Sequence, residues 1–83
     1  MKYIIKGFQG AEYYATEVVT NEKGEERLHM STDIDKAMEF DTIEDAYEKV
    51  KNEYLYMMNG YTHNFVNWVL NTRFEVLEIC EEN

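Results

Sequence analysis

A small α+β domain is the fold class this sequence predicts. It is an antiparallel sheet of about four strands, in the order β-β-β-α-α-(α)-β, with the helices packed on one face. Three observations predict it. Residues 1–30 are rich in β-branched and aromatic side chains and are punctuated by glycine-bearing turns. Apolar residues recur at helical spacing from Ile43 towards Met58. A further apolar run, Arg73 to Cys80, has strand character. Residues 1–83 form a single domain, because 83 residues with 45% hydrophobic side chains suffice for one small core.

The elements follow in order. Met1 to Phe8 (MKYIIKGF) reads as a strand, and Gly7 and Gly10 flank a bend. Glu12 to Thr20 reads as a second strand and Glu26 to Met30 as a third. Asn21-Glu22-Lys23-Gly24 makes a hairpin turn between them, with glycine available for positive φ. Ser31 or Thr32 then caps a short helix, on which Ile34, Ala37 and Met38 share a face at i, i+3, i+4. Phe40 anchors its end.

Thr42, with Asp45 three residues on, opens the main helix in the manner of a capping box. Ile43, Ala46, Tyr47, Val50, Tyr54 and Met57 or Met58 form its apolar stripe. Asn59-Gly60 supplies a stop. Tyr61 to Asn71 suits either a third helix, capped by Thr62, or a strand, and helix is the reading adopted. In the last strand Phe74 and Val76 fall on one face, Leu77 and Ile79 on the other. Either both faces are covered or a bulge intervenes. This strand is expected beside the first, at the centre or at an edge.

Charge is the most informative feature. Asp and Glu number 17 against eight Lys and Arg, a formal charge of -9. Ser31 to Glu53 alone holds eight carboxylates and three lysines. Such a chain is repelled by phosphate backbones and anionic bilayers, so neither nucleic acid nor membrane is an expected partner. A basic protein surface is. The plainer reading is a solvated face that keeps the protein soluble and serves two helix dipoles. The N-terminal segment lacks the long apolar stretch of a signal peptide, and no run approaches a membrane span, so a cytoplasmic location is expected.

No constellation for catalysis is legible. Ser31, the only serine, reads as a cap. Cys80, the only cysteine, reads as a small buried hydrophobe. Counting a calcium loop from Asp33 puts Met38 where glycine is required, and His29, His63 and Cys80 have no zinc spacing. The four glycines are isolated, so no phosphate loop exists. The expectation is a non-enzyme with neither metal nor cofactor.

Two sets of contact residues are therefore nominated. Asp33, Asp35, Glu39, Asp41, Glu44, Asp45 and Glu48 crowd one end of the domain against Lys36. Carboxylates fixed on a helix imitate the charge spacing of a nucleic-acid backbone. Tyr14, Tyr56, Tyr61 and Trp68 are the candidate aromatic anchors, since adjacent residues on a strand point to opposite faces and Tyr54 and Tyr56 cannot share one helix face. Cross-strand packing is their structural alternative.

The run TDIDKAMEFDTIEDAYEKV contains A-x-x-F-D-T-x-E-x-A, here Ala37, Phe40, Asp41, Thr42, Glu44 and Ala46. With MKYIIK and a YYAT strand before it and FEVLEI after it, the chain resembles small acidic proteins of phages and prophages of Gram-positive bacteria. That group includes inhibitors of host defence, anti-CRISPR proteins among them. The resemblance covers most of the chain and carries packing residues, not catalytic ones. It implies a phage-encoded inhibitor acting in the host cytoplasm on a nucleic-acid-handling enzyme. The alternative is a self-associating accessory domain, a homodimer closed by aromatic and Met side chains.

Overall fold

In a computed structural model of the chain, which describes residues 1–8, 11–58 and 73–79, four antiparallel strands form one sheet in the order β3-β2-β1-β4. β1 is Lys2–Phe8, β2 Glu12–Thr20, β3 Glu26–Ser31 and β4 Arg73–Ile79. Among the described residues one α-helix, α1, spans Ile43–Met58 and lies against one face. The β2–β3 turn is built by Asn21. Its Oδ1 accepts from the Lys23 and Glu25 amides at 3.0 and 2.9 Å. Gly24 follows at φ +80, a left-handed conformation that other residues adopt only with strain.

β2 is bulged between Ala15 and Glu17, and beyond Tyr14 it leaves β1. Residues 37–40 fill the gap. The Met38 amide donates to the Ala15 carbonyl at 2.8 Å, and Tyr3 and Phe40 exchange two backbone bonds of 2.9 and 2.8 Å. The helix expected over this segment is therefore corrected. Only Ile34–Lys36 coils, as one 3₁₀ turn, and Ser31 belongs to β3 rather than to a cap. The cap is Asp33, whose Oδ1 accepts from the Asp35 amide at 3.0 Å. A short helix must overcome its nucleation cost. Here two extended residues, Met38 and Phe40, gain sheet partners instead, and Ile34 stays 51% exposed.

α1 starts where expected. Thr42 Oγ1 accepts from the Asp45 amide at 3.2 Å, the first half of a capping box. Its buried face is Ala46, Val50, Glu53 and Met57, an i, i+4, i+7, i+11 stripe. Ile43 and Tyr47, assigned to the core from sequence, are exposed. A carboxylate rather than an aromatic ring turns inward, for reasons of hydrogen bonding given below. The core joins Ile5, Ala15, Leu28, Ala46 and Val50, with Tyr54 and Phe74 in edge-to-face contact at 5.2 Å on its border.

β4 pairs with β1 in unbroken register from Lys2 opposite Ile79 to Phe8 opposite Arg73, so no bulge intervenes. Both faces of this pair carry apolar residues. Ile5 and Val76 face the helix, whereas Ile4, opposite Leu77, is only 2% exposed on the other side. Gln9, Gly10, Asn59, Gly60, the Tyr61–Asn71 segment, His63 and Cys80 lie outside the described residues.

Candidate functional site

The nominated carboxylates string along the connection from β3 to α1 and into its first two turns. Asp33, Asp35, Glu39, Asp41, Glu44, Asp45 and Glu48 are all exposed. Asp33 is fixed by its capping bond and by its own amide, which donates to Ser31 Oγ at 3.2 Å. Glu44 and Asp45 occupy the first turn of α1, where the helix dipole favours negative charge. Glu44 and Glu48 stand one turn apart on the outward ridge. Among the described residues no three acidic, His or Cys side chains converge as metal ligands would.

Lys6, Arg27 and Lys49 pair outside the stretch, while Lys36 and Lys51 make no ion pair among the described residues. Of five ion pairs among the described residues, four engage carboxylates outside this stretch: Glu12 with Lys6, Glu17 with His29, Glu26 with Lys49, and Glu53 with Arg27. Only Asp41 is neutralised at home, by Lys2. The ammonium of Lys2 holds the Asp41 carboxyl below its ordinary value of 3.8. The hydrogen bond from Lys49 likewise lowers Glu26, and Glu26 raises Lys49 above 10.5. Six carboxylates of the stretch make no ion pair among the described residues, and of these Glu48 and Asp45 lie near enough to Lys49 for their charge to help raise it.

The nominated aromatics divide. Tyr14 is half-buried on the sheet face away from α1, opposite Lys6 and Ser31. Tyr56 is half-buried and already engaged, with the Arg27 guanidinium 3.7 Å above its ring. Tyr61 and Trp68 lie outside the described residues.

Sequence reasoning missed the cluster around Glu53. This side chain is 2% exposed. Arg27 Nε donates to its two oxygens at 3.0 and 3.2 Å, and the Leu28 amide donates at 2.9 Å. β3 is a sheet edge, so the Leu28 N–H would otherwise face outward unpaired. The next residue does the same at the opposite edge, where Tyr54 Oη accepts from the Phe74 amide of β4 at 3.1 Å. Two consecutive residues of α1 thus tie it to both borders of the sheet. The available signal was a glutamate standing in register with the apolar stripe.

Beside this cluster a groove of about 250 Å³ is lined by Glu25, Glu26, Asn52, Leu55 and Tyr56. It falls below the roughly 300–1,000 Å³ usual for small-molecule sites. Glu26 is committed to Lys49 and Asn52, both at 2.7 Å. The polar groups here hold the fold together rather than converge on an empty centre. Among the described residues no helix is long and apolar enough to cross a membrane. Comparison with known protein families, curated proteins and solved structures finds no match to this chain.

Proposed function

We propose that this chain is a protein-interaction module whose acidic stretch, Asp33 to Glu48, docks on the basic nucleic-acid-binding surface of a partner enzyme. In this reading it is a phage-encoded inhibitor of host defence that acts by charge mimicry. One observation carries the proposal: six exposed carboxylates make no ion pair in the stretch Asp33 to Glu48, where Lys36 is the only cation, while Lys6, Arg27 and Lys49 pair with glutamates outside it. The geometry is compatible. One helical turn from Glu44 to Glu48 advances about 6 Å, close to two nucleotide steps of about 3.4 Å each.

The test is charge reversal. The Glu44→Lys/Asp45→Lys variant should fold yet lose the host enzyme captured by the parent protein. Capture should weaken with salt and yield to competing duplex DNA or structured RNA. Undiminished capture by the variant would show the stretch to be a solvated face.

A second reading, self-association, draws on Tyr47, Leu55 and Met58, which are 53%, 53% and 57% exposed on the outer flank of α1. Sedimentation at several concentrations tests it, and a constant monomer mass removes it.

A further inference from the structure

Each edge of the sheet has a backbone amide covered from α1. At β3, Glu53 covers the Leu28 amide and Arg27 wraps across to meet it. At β4 the amide covered among the described residues is that of Phe74. Backbone parity shows what remains. Tyr3 spends its N–H and C=O on Phe40, so the odd-numbered residues of β1 face away from β4 and the even-numbered ones face towards it. Their partners Glu75, Leu77 and Ile79 therefore bond inward to β1. Phe74, Val76 and Glu78 present their backbone groups outward, in agreement with the Phe74 amide reaching Tyr54 Oη. Val76 and Glu78 have no outward hydrogen-bond partner among the described residues. The edge carries no proline and no bulge, and its charged side chains are Arg73, Glu75 and Glu78.

We infer that the outward edge of β4 accepts an extended cationic segment of a partner protein as an added, antiparallel strand. The occupant follows from charge. Glu75 and Glu78 are both exposed and without an ion pair among the described residues, and they flank Val76 and Leu77 on opposite faces. A strand laid antiparallel on this edge places two residues three apart opposite these carboxylates, with two residues between them opposite Leu77 and Val76. Lys or Arg at the outer positions and β-branched residues at the inner ones match both charge and pleat. A second copy of the chain would instead bring two molecules of charge -9 together, glutamates included. The inference shares with the proposed function only the premise that the partner is cationic.

The probe is a capped peptide, Thr-Lys-Val-Val-Lys-Thr, titrated into the ¹⁵N-labelled full chain. Its second valine falls opposite Val76 in a hydrogen-bonded pair, and its first falls opposite Leu77 with its amide turned away. The peptide should shift the Val76 and Glu78 amides. N-methylation of the second valine should weaken binding roughly tenfold or more, whereas N-methylation of the first should be tolerated. Glu in place of both Lys should abolish binding.

Three results would overturn the inference. Both N-methylated peptides could bind alike. The shifts could fall on Asp33 to Glu48 and spare β4. Or the free protein could sediment as a dimer with Val76 and Glu78 already protected, which makes a second copy the occupant. The Glu44→Lys/Asp45→Lys variant keeps the two claims apart: it should bind the peptide as the parent does even if it loses the host enzyme.

Discussion

Replacing Glu53 is the sharpest test of how this fold is held. Its carboxylate is buried and accepts from Arg27 and from the Leu28 amide. Glu53→Gln keeps the shape, and one oxygen remains for Leu28, but an amide group replaces the charge that faced Arg27. A hydrogen bond to a charged group is worth about 1.5–3 kcal/mol. The Arg27 side chain is 32% exposed and recovers part of its loss from water, so about 2 kcal/mol is expected. Glu53→Leu also strands the Leu28 N–H, which raises the expected cost to about 3–4 kcal/mol.

For a domain of this size, total stability is roughly 4–12 kcal/mol. The Gln variant should therefore melt about 8–16 °C lower, at roughly 4–8 °C per kcal/mol. Urea unfolding followed by circular dichroism measures the first quantity, and hydrogen exchange at the Leu28 amide locates it. Well-packed apolar replacements of buried ion pairs sometimes cost nothing. A Glu53→Leu variant as stable as the parent, with Leu28 exchange unchanged, would refute the reasoning.

Four further outcomes are expected. Glu26 and Asp41 titrate below their ordinary values of 4.5 and 3.8 because Lys49 and Lys2 bond to them, so their contribution to stability is complete above those values and is lost as pH falls through the lowered ones. Carboxyl NMR titration checks this, and Lys49→Met should return Glu26 towards 4.5. Lys49 and Lys6 are raised by the hydrogen bonds they donate to Glu26 and Glu12, so their contribution persists up to pH 10.5 and disappears only as pH rises beyond it. Gly24→Ala should cost about 1–2 kcal/mol from its positive φ alone, since nothing crowds the added methyl, and Gly24→Asn should cost less in the same melt. Tyr54→Phe should cost about 0.5–1.5 kcal/mol and speed exchange at the Phe74 amide without moving Leu28.

The strands, their order of appearance and the start of α1 were legible because each is specified locally. β-Branched and aromatic residues mark β2, Asn21 and Gly24 mark its turn, and Thr42 marks the helix cap. What escaped prediction depends on partners distant in sequence. Ile34, Ala37 and Met38 have helical spacing, but backbone bonds to Ala15 and Tyr3 draw residues 38–40 into extended form. Tyr47 looked like core and Glu53 like solvent. Their roles reverse because an edge amide 25 residues away needs an acceptor. Of the candidate site, the exposure of the acidic residues was readable from composition. The commitment of Lys6, Arg27 and Lys49 to glutamates outside the stretch was not, because those pairings are decided by the sheet.

The pairing of β1 with β4 sets the order of events when the chain first folds. Lys2 meets Ile79, so zipping these strands closes a loop of roughly seventy residues, at an entropic cost near 4 kcal/mol. The β2–β3 hairpin and α1 can form early, from near neighbours. A chain emerging from the ribosome therefore holds Ile4 and Ile5 with one flank bare until Arg73 to Ile79 has cleared the exit. During that interval the newborn protein is open to chaperones, and to wrong strands, in a way the finished domain is not.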